Sequence, residues 1–289
     1  MTPQLRDTPR NDWAEQQGST TPLPEVSFNP FSLAGTFIYK TLVATELEIR
    51  KLRHDPSQLL TRAVQPALWL LVFGQVFGRL RAIPTGDLSY LEFMTAGILA
   101  QSILFMSIFT GLSVIWERDL GILHKLMVSP TPRSALILGK GIAAGIRSLS
   151  QAVVVYGLAM ILGVGLSWDP LHLLGVMLAV MLGAGVFSAL SLIVACGVRT
   201  HERFMGVGQL LTMPLFFASN AIYPIELMPG WLRVLASINP LTYLVDALRG
   251  LMLSVDGSVY PFWLNLSILA IATAVLSAVG GRLYPRLVR

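Results

Sequence analysis

Trp116-Glu-Arg-Asp-Leu-Gly-Ile-Leu-His-Lys-Leu-Met-Val-Ser-Pro-Thr-Pro-Arg133 is a polar break between two long apolar runs. Asp119 can cap a short helix at its start, and Leu120, Leu123 and Met127 recur at the i, i+3, i+7 spacing of one helical face. Pro130 and Pro132 stop that helix, because proline lacks the N–H donor and its ring crowds the preceding turn. Roughly ten helical residues reach about 15 Å, too short for a bilayer core of about 30 Å. The stretch therefore predicts a helix lying at a membrane surface, able to receive a partner. The side on which it lies orients the rest of the chain.

Composition agrees with a polytopic membrane protein. The 289 residues are 54% apolar and only 13% charged, against about 25% charged in soluble domains. The length fits one domain of several spans. Cys196 is the sole cysteine, which excludes an intramolecular disulfide or a cysteine metal cluster. It lies in an apolar run and reads as a small packed hydrophobe. Residues 1–30 are polar and proline-rich, show no signal-peptide pattern, and read as a disordered cytoplasmic tail.

Residues 31–56 come next. Within Phe31 to Arg53, Phe37, Leu42, Leu47 and Leu52 are apolar while Glu46, Glu48, Arg50, Lys51 and Arg53 crowd the second half. An amphipathic interfacial helix fits this pattern, with a solvated extension of the first span as the alternative. His54-Asp55-Pro56 breaks it. Residues 57–289 then form an all-α domain of six transmembrane helices. The spans are expected at about Leu60–Phe77, Leu91–Ile115, Ile142–Leu166, Leu171–Val198, Phe204–Ile222 and Phe262–Leu283. Trp116 and Trp263 sit at span ends as interfacial anchors, Trp168-Asp169-Pro170 makes a tight turn, and Arg199 to Arg203 makes a short charged one. Lys140 and Arg147 are seven apart, so they share a face near the start of the third span. They are expected to snorkel toward the headgroups, with substrate binding as the alternative.

Between the last two spans lie two apolar helices too short to cross, Met228–Ser237 and Pro240–Met252. Asn239 is a natural N-cap with Pro240 at the first helical position. Leu241, Leu244, Val245, Leu248 and Leu251 form one face of the second helix. Thr242, Asp246 and Arg249 form the other, with Asp246 and Arg249 spaced to pair. A re-entrant hairpin dipping into the outer leaflet explains the lengths, and two surface helices are the alternative.

Six spans put both termini on one side. Seventeen of the 21 Lys and Arg residues fall there, and only Arg79, Arg81, Arg233 and Arg249 fall on the other. The positive-inside rule then places both termini and Trp116–Arg133 in the cytoplasm, and the chain in the cell's inner (plasma) membrane.

The chemistry is sparse. Glu92 and Glu117, the acidic residues nearest the spans, sit at span ends, which argues against proton-driven transport. No G-x-x-x-x-G-K-[ST] loop occurs: Ser134 stands where its first glycine belongs, and Gly141 where its Ser/Thr belongs. His54, His124, His172 and His201 are scattered without metal-ligand spacing. No catalytic constellation, metal site, cofactor site or nucleic-acid surface is evident. Among the polar residues inside the spans, Gln75, Gln101, Gln151, Gln209 and Asn220 are candidates to line a pathway, and interhelical hydrogen bonding is the competing reading. An intramembrane lipid-modifying enzyme and a passive channel or assembly protein are the alternative classes.

Four features together resemble the permease subunit of the ABC-2 family of exporters. An amphipathic stretch ending Arg50-Lys-Leu-Arg-His-Asp-Pro56 precedes a span carrying Gln65-Pro66 and Leu71-Val-Phe-Gly-Gln-Val-Phe-Gly78. The run from Glu117 to Arg133, with Leu138-Gly-Lys140 after it, is similar to the family's coupling region. Ala221-Ile-Tyr-Pro-Ile-Glu-Leu-Met-Pro-Gly-Trp231 and Asn239-Pro-Leu-Thr-Tyr243 resemble its outer re-entrant segment. The six-span layout is the fourth. The resemblance runs over almost all the chain from about residue 40 and is strongest to drug-exporter and nodulation-factor-type permeases. The family does not require the long polar tail. The resemblance implies a pair of separate cytoplasmic ABC ATPase subunits and a second copy of this chain, as a homodimer in membrane lipid with the pathway at the interface. It implies ATPase coupling through Glu117, Arg118, Asp119, Gly121, Leu123, Leu126, Pro130, Pro132 and Arg133. It implies an outer re-entrant cap built on Pro224, Pro229, Asn239, Pro240, Asp246 and Arg249. The expected cargo is a lipophilic drug-like molecule, a lipid or a glycolipid.

Overall fold

The computed structural model describes residues 46, 64–80, 83–86, 88–121, 133–198, 200–255 and 257–284. The expected tail, nearly all of the amphipathic helix and residues 122–132 of the short surface helix lie outside them.

The described residues are predominantly helical, in an order set by where apolar runs meet local stops. Helix α1 covers residues 64–80, with a π-helical stretch Trp69–Gly74 followed by an α-helical end Gln75–Leu80. Helix α2, Tyr90–Asp119, begins with a capping box. Glu92 N donates to Ser89 Oγ at 3.2 Å, and Ser89 N donates to Glu92 Oε2 at 2.8 Å. Helix α3 is Arg133–Ile161, α4 is Pro170–Gly197 and α5 is His201–Phe217. The two short helices are α6, Gly230–Ile238, and α7, Pro240–Met252; Phe262–Leu283 is α8.

Helix α2 runs through the middle, packed on α3, α4 and α7 and buried along most of its length. Its approach to α4 depends on Gly111. A Cβ there would stand 2.4 Å from Ser191 Oγ. In place of a side chain, Gly111 N donates to Ser191 Oγ at 3.0 Å while that hydroxyl donates to Ile108 O at 2.6 Å. Helix α4 in turn packs on α3, α7 and α8.

Among the described residues four helices are long and apolar enough to cross a membrane: Tyr90–Asp119, Leu136–Ile161, Pro170–Gly197 and Phe262–Leu283. Val153, Leu171 and Leu210 are 73%, 73% and 75% exposed on the outside of the bundle. So large an apolar exterior suits lipid and not water. The protein is a multi-pass membrane protein.

Helices α4 and α8 fall where the sequence predicts, within a residue at each end. Asp169 caps α4, its carboxylate accepting from Leu171 N, with Pro170 at the first position. Three other helices differ in their bounds. Helix α2 runs a full turn past Ile115, so Asp119 is its last residue and not the N-cap of a following helix. The break comes at Gly121, whose φ of +71° ends the helix, with Leu120 N and Gly121 N donating to Trp116 O and Arg118 O. Helix α3 starts nine residues before the expected Ile142 and stops at Ile161. Gly163, at φ +74°, closes it: Gly163 N donates to Met160 O and Val164 N to Ala159 O. Helix α5 takes in the charged residues His201 to Arg203, with Thr200 as cap, and ends at Phe217 instead of Ile222. What ends it is a side chain from elsewhere. Asn239 Nδ2 donates to Leu215 O at 2.7 Å and Ala218 O at 2.9 Å. The same side chain caps α7 through Oδ1, which accepts from Leu241 N.

Candidate functional site

At the end of the bundle where α2 finishes, Lys140 Nζ donates to both carboxylate oxygens of Glu117, at 3.0 and 2.9 Å. Glu117 is 5% and Lys140 6% exposed. This overturns the reading of Lys140 as a snorkelling residue. Because α2 continues through Glu117, its carboxylate reaches inward, and α3 starts early enough to bring Lys140 opposite it. A buried pair of this kind is costly to break from one side, since the remaining charge has lost its partner.

The neighbouring residues gather three helix ends. Arg118 Nε and Nη2 donate to Asp119 Oδ1 at 3.1 and 3.0 Å, and Arg118 Nη1 reaches Val198 O at 3.5 Å, just after α4. His201 Nδ1 lies 3.8 Å from Asp119 Oδ2. Its ring stacks on Trp116 at a centroid distance of 5.1 Å. The end of α2 is thus tied to α3 by Glu117, to α4 by Arg118 and to α5 by Trp116 and Asp119. Of the expected coupling residues, Glu117, Arg118 and Asp119 fall in this cluster, and Gly121 ends α2 just beyond it. Arg133 is the first residue of α3. Leu123, Leu126, Pro130 and Pro132 lie outside the described residues.

The five polar pathway candidates do not form one line. Gln101 of α2 and Gln151 of α3 share a cavity of about 290 Å³ with Gln65 and Ser102. Gln75 and Gln209 are exposed on α1 and α5. Asn220 is buried near the opposite end, after α5.

That opposite end, where α2 begins, carries the short helices. Pro224 precedes a single 3-10 turn, Ile225–Leu227, and Pro229 precedes α6. Trp231, Val234 and Ile238 of α6 are exposed. Helix α7 is buried along most of its surface, with Tyr243 and Gly250 half-buried, and Thr242, Asp246 and Arg249, which were expected to form a polar face, are all buried. Nor do Asp246 and Arg249 pair directly. Asp246 accepts from Val259 N at 2.8 Å, Tyr260 N at 2.9 Å and Asn265 Nδ2 at 2.8 Å. Arg249 Nη2 donates to Asn220 O at 2.7 Å and Phe93 O at 3.5 Å, and the guanidinium lies 3.7 Å from the centre of the Phe93 ring. Each charge is used to hold a chain segment against α7: the residues after α7 by Asp246, and those after α5 by Arg249. Spacing along one helix could not reveal these partners. Among the described residues no group of three or more His, Cys, Asp or Glu side chains gathers as a metal site.

Comparison with known proteins gives a consistent picture. The family model described as ABC-2 type transporter matches residues 39–253. A putative transport permease ycf38 of Cyanophora paradoxa is 28% identical over 215 residues, covering 74% of this chain and 74% of that protein. The daunorubicin resistance ABC transporter permease protein DrrB1 of Streptomyces coeruleorubidus is 28% identical over 254 residues, covering 86% and 87%. A probable doxorubicin resistance ABC transporter permease protein DrrC of Mycobacterium tuberculosis is 26% identical over 238 residues, covering 80% and 85%.

Proposed function

The chain belongs to the ABC-2 type transporter family, and on that premise we propose that it is the membrane subunit of an ATP-driven exporter, working as a homodimer with a separate pair of cytoplasmic ATPase subunits. The chain carries no P-loop sequence of its own, so the energy enters from the partner. The Lys and Arg distribution supports a cytoplasmic position for both termini and for the segment after Gly121, in the inner (plasma) membrane. On this reading the span that includes α1 and the 17-residue α5 complete six spans. Helices α6 and α7 form the outer re-entrant cap.

The buried Glu117–Lys140 pair carries the mechanism. It ties α2 to α3 on either side of residues 120–132. A displacement of that segment by a closing ATPase therefore moves two spans together, with Arg118 and Asp119 passing it to α4 and α5. Leu123, Leu126 and the Pro130/Pro132 stop form the ATPase-facing part, and residues 31–56 brace the boundary. Gln101 and Gln151 contribute polar contacts to a pathway suited to a lipophilic drug-like molecule, a lipid or a glycolipid. Co-expression with the cognate ATPase and affinity purification through this chain tests the partnership. The ATPase is expected to co-purify in equal amount, and its absence from the purified material counts against the reading.

A further inference from the structure

Where α2 begins, a cavity of about 310 Å³ opens between the loop containing Pro84 and Gly86, the turn at Glu226 and the residues that follow α7. Two of its lining side chains, Arg249 and Asn220, are each only 1% exposed. Neither is fully satisfied by the described residues. Among the guanidinium nitrogens of Arg249, Nη2 alone donates to described residues, and both of its acceptors are backbone carbonyls. Nε has no acceptor. Among the described residues Arg249 makes no ion pair: Asp246 and Glu226 act on it at longer range, and both Asp246 oxygens are engaged by Val259, Tyr260 and Asn265. Asn220 gives its backbone oxygen to Arg249, yet both Nδ2 and Oδ1 of its amide are without a partner.

A buried amide with both groups unpaired is unusual, and such groups in native proteins are satisfied by bound water or ions. Water would serve Asn220 but would bring no counter-charge to a guanidinium that stays protonated in proteins. A tetrahedral oxyanion serves both, accepting from the guanidinium fork and from the amide N–H. Glu226 on the rim opposes a second negative charge and can accept from a hydroxyl or ammonium group. A single phosphate fits these constraints and a polyanion does not.

We propose that this cavity is a phosphate-binding site in which Arg249 and Asn220 hold one phosphate group, either free or as the phosphodiester of a lipid headgroup. The assignment does not depend on the exporter reading and is tested without the ATPase. The full-length protein, purified in detergent and stripped of lipid, is titrated with inorganic phosphate, with dioctanoyl phosphatidylglycerol and with dioctanoylglycerol, and its thermal midpoint is followed. A saturable rise with a phosphate-bearing probe, and none with dioctanoylglycerol, is expected. A rise with inorganic phosphate identifies a free anion as sufficient, whereas a rise with the lipid alone identifies the headgroup. Asn220→Ala is expected to weaken the response at least tenfold without lowering the ligand-free midpoint, because it removes an amide that no described residue satisfies. Asn220→Asp supplies the missing carboxylate from the chain itself, so it is expected to abolish the response and raise the ligand-free midpoint. No response to either phosphate probe, an equal response to dioctanoylglycerol, or unchanged affinity in both variants overturns the site.

Discussion

Glu117 and Lys140 stand on either side of the segment that links α2 to α3, and both are withdrawn from solvent. Attraction in such a site is strong, but so is the cost of taking two charges out of water. The pair is therefore expected to behave asymmetrically under mutation. Glu117→Gln removes the carboxylate that accepts twice from the buried Lys140 ammonium and is expected to cost about 3–5 kcal/mol. Joint replacement by Glu117→Leu and Lys140→Met removes both charges and is expected to restore stability to within about 1 kcal/mol of the parent, or to exceed it. Thermal unfolding of the purified protein reads both outcomes, and a double variant no more stable than Glu117→Gln contradicts the pairing. The two residues were legible one at a time, as charges near span ends. Their meeting was not, because it requires α2 to continue past the apolar run. Arg249 and Asp246 make the same point: their spacing on α7 suggested each other, and tertiary packing gave each a different partner.

At the scale of elements, the stops that are written locally were readable and those supplied from a distance were not. Helix α4 begins at an Asp-Pro cap and α8 follows Pro261, so both bounds could be read from neighbouring residues. Helix α5 is ended by Asn239, which lies 24 residues beyond Leu215 and is also the N-cap of α7. One side chain thus joins the end of α5 to the start of α7. Asn239→Ala is expected to lose both functions and destabilise the protein by about 2 kcal/mol. Asn239→Asp keeps an acceptor for Leu241 N but cannot donate to Leu215 O and Ala218 O. Protease sensitivity after residue 217 is therefore expected to rise in both variants, while hydrogen exchange at the start of α7 rises only in Asn239→Ala. Equal exchange in the two variants would separate the α7 cap from this side chain.

Across the whole molecule, the two proposed sites lie at ends about 45 Å apart along the 30-residue α2. One end gathers α2, α3, α4 and α5 around Glu117 and Asp119, beside the segment proposed to receive the ATPase. The other holds α6, α7 and the cavity of Arg249 and Asn220. Family membership was readable from motif order, and the apolar bundle from composition. The shared cavity of Gln101 and Gln151 was not readable, because which polar residues converge depends on how the helices rotate against one another. ATPase motion is proposed to enter this permease through the segment after Gly121, and hydrolysis by the purified ATPase in proteoliposomes is the direct test. It is measured alone, with the wild-type chain and with the Leu123→Asp variant, confirming that the variant inserts normally. Severalfold stimulation by the wild-type chain, none by Leu123→Asp and no hydrolysis by the chain alone are expected; equal stimulation by both chains would contradict the claim.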